Sequence, residues 1–419
     1  MRIAALRALL SNRNYAIYSA GNAVSLTGTW IHGIAFAWLV WEMTRSPFWL
    51  GVVATAGLIP TLFAGLIGGV LADRMDRLRL TIITQALCFV ITFTLFVLFE
   101  LNALNVWILI VFKVLLATAV AISQPARMAL IPNLVGPQMI GPAVSFGSMV
   151  FNTARFLGPA IAGVIISTAG IGPAFLINSL TFVVMAGAIL TLKLPPGTTR
   201  PPPRARADSG VFSHFSETAG YVRAHGGVLT LFLLLTVVVV AVRPISDFLP
   251  AIATRVYDMG VSGVAMLTSS AAAGSILGGL WTAGRDVKGL TFSALRASLF
   301  YTACIVAFVL MRNFWIGCFI FAGAGFFTAI FAISAQTLVQ SSVEDDMRGR
   351  VMSLWFILTR GGPDLGAFIV GLGGELVGLQ ATFIVGAALA ALMTIWAWQR
   401  RELLAAKLEA VKSSYAATP

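Results

Sequence analysis

The chain has 419 residues, of which 58% are hydrophobic and only 11% charged, and its mean hydropathy is +0.91. A soluble domain carries roughly a quarter charged residues on a surface that faces water. The composition therefore excludes a soluble globular protein and predicts that lipid surrounds most of the chain. The formal net charge of +12 would suit a nucleic-acid partner, but the positions of the basic residues exclude that class.

Apolar runs separated by charged residues, Pro and Gly predict about twelve transmembrane helices. A bilayer core about 30 Å thick needs roughly 20 apolar residues in each helix that crosses it, and each run is at least that long. The sequence therefore predicts an all-α integral membrane protein. In chain order the predicted spans are 14–42, 47–72, 80–100, 105–125, 140–167, 171–192, 227–249, 262–283, 290–311, 314–341, 348–375 and 379–398.

Lysine and arginine lie almost entirely on one side of these spans. With the N-terminus in the cytoplasm, the outer loops contain only Arg45, Arg255 and Arg312, and the inner segments contain most of the other basic residues. Because cytoplasmic loops are enriched in Lys and Arg, we predict cytoplasmic N- and C-termini and a bacterial inner-membrane location. This asymmetry explains the basic charge without nucleic acid.

The one long connection divides the predicted chain into two six-helix bundles, 1–193 and 227–399. The connection, 194–226, is Pro-rich and charged, which predicts a cytoplasmic linker ending in a possible interfacial helix; 400–419 is a predicted cytoplasmic tail. A weak repeat supports the division, as in transporters built from duplicated units. Ala64-Gly65 and Gly68-Gly69 in span 2 correspond to Ala273-Gly274 and Gly278-Gly279 in span 8, and Arg155 before Gly158-Pro159 corresponds to Arg360 before Gly362-Pro363.

The segment between spans 2 and 3, Gly69–Arg79 (GVLADRMDRLR), carries the most specific motif. It resembles the loop signature of the major facilitator superfamily, although Asp76 replaces the mid-loop Gly and Leu78 replaces a basic residue. The resemblance implies two pseudo-symmetric six-helix bundles that alternate access around a central cavity. It also implies that this latch loop holds the two halves together on the cytoplasmic side, through Gly69, Asp73, Arg74 and Arg77.

Three further motifs extend the resemblance along the chain: Arg13-Asn14-Tyr15, Pro125-Ala126-Arg127 and Arg348-Gly349-Arg350. They are similar to the branch that contains the enterobactin exporter and other transmembrane secretion effectors. That branch implies export of small molecules, in several cases siderophores, driven by the proton gradient. The substrate itself does not follow from these motifs.

Polar residues inside the spans are the candidate contacts for a substrate, because such residues usually face a cavity or a partner. Arg155 and Arg360 either line a positively charged cavity or tie neighbouring helices together. Lys113 partly matches a family pattern in span 4, and its alternative is to extend toward the outer surface. The resemblance implies that spans 1, 4, 7 and 10 line the cavity. The full set of candidates is Asn22, His32, Lys113, Asn152, Arg155, Arg243 and Arg360.

Two acidic residues, Asp247 and Asp364, are the candidate proton carriers. Each follows an arginine by four residues, so each pair lies on one face if the segment is an α-helix. A carboxylate binds a proton more readily when it loses its arginine partner and its water. Alternating exposure would then couple protons to transport, whereas the alternative for each residue is a constant structural ion pair.

The sequence predicts neither an enzyme nor a bound cofactor. It contains no phosphate-binding loop of the type G-x-x-x-x-G-K-[ST], no H-E-x-x-H and no G-x-S-x-G, the patterns of nucleotide, zinc and serine-hydrolase chemistry. We predict a monomeric secondary transporter that exports an amphipathic or anionic small molecule, siderophore- or drug-like, in exchange for protons. The alternatives are a lysophospholipid flippase or nutrient importer of the same fold, and a membrane sensor that transports nothing.

Overall fold

A computed structural model of the chain describes residues 3–194 and 211–409, with side chains from 7 to 194 and from 217 to 409. All regular structure in these ranges is helical. The α-helices are α1 Ile3–Ser11, α2 Arg13–Thr44, α3 Pro47–Thr55, α4 Leu58–Arg74, α5 Arg77–Glu100, α6 Val106–Val135, α7 Ile140–Ala169, α8 Ile171–Leu190, α9 Val211–Ala224, α10 Gly226–Val237, α11 Leu249–Tyr257, α12 Val261–Thr282, α13 Leu290–Leu310, α14 Phe314–Ser342, α15 Asp345–Leu376, α16 Leu379–Gln399 and α17 Arg401–Leu408.

The helices confirm the all-α membrane architecture predicted from hydropathy. Eleven segments of the described chain are long and apolar enough to cross a membrane, and they coincide with every predicted span except 348–375. That span corresponds to α15, a 32-residue helix whose charged residues and glycines lower its hydropathy. The Pro-rich part of the predicted linker, 195–210, and the end of the predicted tail, 410–419, lie outside the described residues, whereas helix α9 lies in the second half of the linker.

By its internal contacts the chain forms two compact units. Unit 1 comprises Met1–Ala205 with Ala253–Ser269, and unit 2 comprises Arg206–Ile252 with Ser270–Pro419. Within unit 1, α2 packs on α7 and α8, and α4 packs on α6. Gly68 makes the second contact possible, because a Cβ at this position would lie only 2.7 Å from the Ile122 Cα atom. Small residues permit such close approach in membrane helices.

One end of unit 1 is held by hydrogen bonds from the segment Asn12–Tyr15. The Asn12 side chain caps α2 by accepting from the Tyr15 N–H and donates to the Leu134 carbonyl. Asn14 exchanges two hydrogen bonds with the backbone of Lys193, and the Tyr15 hydroxyl donates to the Ala143 carbonyl over 2.8 Å. The Arg13-Asn14-Tyr15 motif therefore ties the start of α2 to α7 and to the end of α8.

Unit 2 repeats the small-residue contact of unit 1 in its own helices. A Cβ at Gly274 would overlap the Ala322 carbonyl, and one at Gly278 would overlap the Phe326 carbonyl. The α12–α14 pair in unit 2 thus uses glycines as the α4–α6 pair does in unit 1. The sequence repeat relates Gly278 to Gly68, so this contact is common to both units. Gly65, which corresponds to Gly274, has nothing within 4 Å of an added Cβ.

Two short helices pack against the long helices of unit 2. Helix α9 is joined to α15 by an ion pair of 2.7 Å between Arg350 and Glu217. Helix α17 buries Leu404 and Leu408, and Glu409 just beyond it accepts hydrogen bonds from the N–H groups of Gly289 and Thr291, at 2.8 and 2.9 Å. The carboxylate therefore accepts hydrogen bonds from backbone N–H groups at the start of α13. The first N–H groups of a helix have no acceptor within the helix itself.

Candidate functional site

The latch loop is ordered by its own side chains and by α6. Asp76 caps α5, since its carboxylate accepts from the N–H groups of Leu78 and Arg79, each over 3.0 Å. The residue that departs from the family pattern therefore has a local structural role. Arg77 donates to the Ala129 carbonyl and to the Asn133 side chain, both over 3.1 Å.

The other latch residues lie in the second half of α4. Asp73 and Arg74 lie exposed in the last turn of α4, and Gly69 lies one turn earlier, half-buried. A Cβ at Gly69 would meet nothing within 4 Å. The close contact of α4 with α6 is therefore made by Gly68 rather than by Gly69.

A contact that the sequence did not predict joins α2 to α6. The Arg127 guanidinium donates a hydrogen bond to the Asn22 side-chain oxygen, and both residues are half-buried. Arg127 was predicted to follow span 4 as a loop residue, but α6 continues through Pro125 and Pro132 to Val135. The sequence did offer one signal for this contact. The resemblance assigns spans 1 and 4, which correspond to α2 and α6, to the cavity, and Asn22 is one of the predicted cavity residues.

A second arginine lies beside α2, on α7. The Arg155 guanidinium carbon is 5.9 Å from the centre of the Trp30 ring, a cation–π distance. Asn152, one turn earlier, donates to the Ser148 carbonyl of its own helix over 2.8 Å. Asn22 and Trp30 are eight residues apart, or about 12 Å along the helix. Two guanidinium groups thus flank α2 at two levels.

His32 and Lys113 lie in different surroundings. The His32 ring is 7% exposed and packs between Phe36 and Phe175, with ring centres 5.4 and 5.3 Å away. Its Nδ1 atom is buried and has no hydrogen-bond partner among the described residues. Lys113 is half-buried, and its side chain crosses Gly57, whose added Cβ would lie 3.3 Å from the lysine Cε atom.

In unit 2, the segment that carries Arg243 and Asp247 is not a regular α-helix. Helix α10 changes to a π-helix over Val238–Val242 and then to a 3-10 helix over Arg243–Phe248. Residues four apart in a 3-10 helix are rotated by about 120° because it has three residues per turn. The shared face inferred for this pair therefore does not apply. Arg243 is exposed and Asp247 half-buried.

Arg360 and Asp364 do lie in a continuous α-helix. Both belong to α15, which runs through Pro363 without a break, so they share a face. Gly362 and Gly366 lie on the opposite face, where an added Cβ would meet Val239 and the Val240 carbonyl of the π-helix. Helix α15 therefore uses its glycines to contact the irregular segment and presents the charged pair away from it. Arg360 is exposed and Asp364 half-buried.

The described residues thus fall into two sets, one in each unit. Unit 1 brings together Asn22 with Arg127 and Trp30 with Arg155 around α2, and buries His32 between Phe36 and Phe175. Unit 2 brings Arg360 and Asp364 to one face of α15 and separates Arg243 from Asp247 by the 3-10 turn. The basic side chains can bind oxygen-rich anionic groups, and the carboxylate beside Arg360 can exchange a proton.

Comparisons with known proteins agree with the fold and the motifs. The family described as transmembrane secretion effectors matches residues 4–418. The staphyloferrin A transporter of Staphylococcus aureus is 25% identical over 85% of this chain and 89% of its own length. The enterobactin exporter EntS of Escherichia coli is 25% identical over 83% of this chain and 82% of its own length.

Among solved structures, a bacterial homolog of the human lysosomal transporter Spinster, in an inward-facing and unoccupied conformation, aligns with a TM-score of 0.70. The alignment covers 98% of both chains at 16% identity. An identity this low supports the fold alone. The fold and the family resemblance predicted from the sequence are both confirmed.

Proposed function

Because the chain belongs to the transmembrane secretion effector family of major facilitator transporters, we propose that it exports an anionic or amphipathic small molecule in exchange for protons. The chain is a multi-pass membrane transporter, and its relatives include proteins named for siderophores. We propose a siderophore- or drug-like solute, carried by secondary transport rather than changed by catalysis. The proposed ligands are this solute and protons, without a cofactor.

The observation that carries the proposal is the pair of guanidinium groups beside α2. Arg127 donates to Asn22, and Arg155 lies over Trp30. A guanidinium presents several N–H donors in a plane and can bind two oxygens of one carboxylate. An extended solute with several carboxylates or catechol oxygens could contact both arginines, whose partners Asn22 and Trp30 are about 12 Å apart along α2, while the Trp30 ring packs against its apolar part.

Proton coupling is assigned to Asp364 because it is the acidic candidate that shares a helical face with an arginine. A charged carboxylate is favoured beside Arg360 and disfavoured when it is desolvated away from a cation. If transport moves the Asp364 carboxylate away from Arg360 and back again, the carboxylate would take up one proton and then release it. Asp247, in the 3-10 segment, is the second candidate.

We further propose that the protein is a monomer of the bacterial inner membrane with both termini in the cytoplasm. The orientation rests on the one-sided distribution of lysine and arginine. In this orientation export moves the solute from the side of the latch loop to the side of the short loops that contain Arg45 and Arg312. Export also runs opposite to proton entry, which supplies the driving force.

The test is transport in everted membrane vesicles, with staphyloferrin A and enterobactin as anionic solutes and a cationic amphiphile of similar size as the contrast. Vesicles energised to acidify their interior should accumulate at least one anionic solute, and an uncoupler should abolish the accumulation. Matched vesicles from cells that lack the protein serve as the control for specific transport.

Three results would contradict the proposal. Uptake into energised right-side-out vesicles without uptake into everted ones would indicate an importer. Accumulation of the cationic amphiphile alone would contradict the anionic substrate class. Transport that is insensitive to the uncoupler in every vesicle type would contradict proton exchange.

A further inference from the structure

At one end of unit 2, arginines lie over tryptophan rings. The guanidinium carbons of Arg296 and Arg401 are 5.8 and 5.3 Å from the centre of the Trp398 ring. Two further pairs lie at the ends of α12 and α16, namely Arg285 over Trp281 at 3.4 Å and Arg400 over Trp396 at 4.5 Å. The start of α13 and the ends of α12 and α16 lie on one side of the membrane because successive spans alternate in direction. Tryptophan is enriched at such membrane–water interfaces.

The charged groups around Trp398 are net positive. Arg296 comes from α13 and Arg401 from α17, so two elements bring cations to one ring. Of the nearby carboxylates, Glu402 is 84% exposed and 3.9 Å from Arg401, a weak contact. The Glu409 carboxylate accepts from the backbone of Gly289 and Thr291. The cluster of Arg296, Trp398 and Arg401, here called the headgroup cluster, thus complements an anion.

Unit 2 also has an apolar cavity of about 590 Å³ between α12, α13 and α14. Its walls include Leu277, Phe300, Cys304, Phe319, Gly323 and Phe327. Phe319 is 81% exposed and Phe300 54% exposed, so the cavity opens to the bilayer rather than to the polar residues of the candidate site. Its small residues, such as Gly323, leave a recess in the helix surface.

One face of α13 connects the headgroup cluster with the cavity. Arg296, Phe300 and Cys304 follow one another at four-residue intervals, so they lie on one side of the helix. Arg296 is about 12 Å from Cys304 along the axis, and one leaflet of the hydrocarbon core is about 15 Å thick. A lipid whose headgroup lies at Arg296 therefore has chains long enough to reach the cavity.

We propose that unit 2 binds one anionic phospholipid of the adjacent leaflet, with its phosphate at the headgroup cluster and one acyl chain in the cavity. The positive charge of the headgroup cluster favours an anionic headgroup, and the apolar walls of the cavity favour an acyl chain. Basic sites between helices at the cytoplasmic side of membrane proteins are suited to such headgroups. None of these residues belongs to the candidate transport site, so the inference is independent of the substrate.

The headgroup is tested by native mass spectrometry of the delipidated full-length protein titrated with phosphatidylglycerol or phosphatidylcholine. The wild-type chain should retain phosphatidylglycerol in preference to phosphatidylcholine. Arg296→Gln should weaken that binding about fivefold, as expected for the loss of one cation near an anionic lipid, and the double variant with Arg401→Gln should weaken it further. Arg312→Gln, at the other end of α13, is the matched control and should bind as the wild type does.

The acyl chain is tested with Ala303→Phe, which fills the cavity from an exposed position on α13. This variant should bind dioleoyl-phosphatidylglycerol several-fold more weakly than the wild type and dihexanoyl-phosphatidylglycerol equally well, because the short chains do not reach the cavity. Ala388→Phe, exposed on α16 outside the cavity, is the control. Size-exclusion profiles and melting curves verify that each variant is folded.

Each arm can overturn its part of the proposal. Equal retention of the two headgroups by the wild-type chain, or equal loss in Arg296→Gln and Arg312→Gln, would exclude a specific anionic site. Unchanged binding of the long-chain lipid to folded Ala303→Phe would place the chain elsewhere.

Discussion

At the residue scale, the hydrogen bond between Arg127 and Asn22 shows how a polar pair is accommodated among apolar helices. Each side chain alone would be costly to hold at this depth, but together they satisfy one donor and one acceptor. Further N–H groups of the guanidinium can bind a solute oxygen while Asn22 fixes its orientation. The pair is therefore suited to recognition as well as to packing.

We expect Arg127→Gln to raise the KM for an anionic solute about tenfold and to leave the melting temperature within a few degrees. Loss of a hydrogen bond to a charged group costs about 1.5–3 kcal/mol, which corresponds to a tenfold or larger loss of affinity. The KM of Arg127→Lys should lie between the values of the wild type and of Arg127→Gln, because lysine keeps the charge and loses the planar donors. Initial rates in proteoliposomes provide KM, and an unchanged value in a folded Arg127→Gln variant would exclude substrate contact.

Asp364 supports a second prediction at this scale. Asp364→Asn removes the exchangeable proton and keeps the shape, so net export should no longer respond to a pH gradient, while exchange of labelled for unlabelled solute continues. Rates at several imposed gradients measure the response. Asp258→Asn is the control, because Asp258 is exposed with φ of 51°, a conformation that Asn also adopts. A wild-type gradient response in Asp364→Asn would rule out the carrier role.

At the element scale, neighbouring glycines of α12 provide a matched pair of substitutions. Gly278→Ala would overlap the Phe326 carbonyl, whereas a Cβ at Gly279 would have its nearest contact at 3.8 Å, with Ile333 Cδ1. Overpacking of this kind costs about 1–3 kcal/mol, and alanine is the better helix former by up to about 1 kcal/mol. Gly278→Ala should therefore lower the melting temperature in detergent and Gly279→Ala should leave it unchanged or raise it. Equal effects would contradict the α12–α14 contact.

The cap of α5 leads to a prediction about the departure from the family motif. Asp76→Ala removes the acceptor for the Leu78 and Arg79 N–H groups and should cost about 1 kcal/mol of stability. Asp76→Gly, which restores the residue of the family pattern, should cost only a few tenths. Melting curves of the two variants in the same detergent measure the difference. Indistinguishable losses would indicate that the aspartate does not act as a cap.

The sequence predicts the bounds of a helix well where hydropathy determines them. It does not predict them where contacts with other helices determine the backbone conformation. The bounds of α2 and α7 follow the predicted spans within two residues. The end of α6 was placed ten residues too early, because a proline inside a membrane helix is tolerated when neighbours and local adjustments satisfy the backbone. The π and 3-10 segments at 238–248 lie where Gly362 and Gly366 of α15 approach the chain. No local pattern of valines indicates this tertiary contact.

At the scale of the whole molecule, the repeat and the latch loop were enough to predict the fold and the family. The candidate residues were harder to place, since a charged residue in a span has the same sequence signal whether it binds solute or ties helices. The predicted end of span 4 leaves Arg127 outside the helix, whereas α6 includes it. A predicted α-helix puts Arg243 and Asp247 on one face, whereas the observed 3-10 helix does not. Side-chain neighbours across helices, rather than positions along one helix, distinguish these cases.

The charge distribution predicts the orientation of the whole chain. Ala103→Cys places a thiol in an exposed loop predicted to be outside, and Ala283→Cys places one in an exposed turn predicted to be inside. The native cysteines Cys88, Cys304 and Cys318 all lie within helices, so the wild-type chain measures the background. A membrane-impermeant maleimide added to intact spheroplasts should label Ala103→Cys and should label Ala283→Cys only after the membrane is opened. The opposite pattern would invert the topology, and with it the proposed direction of transport and the leaflet of the bound lipid.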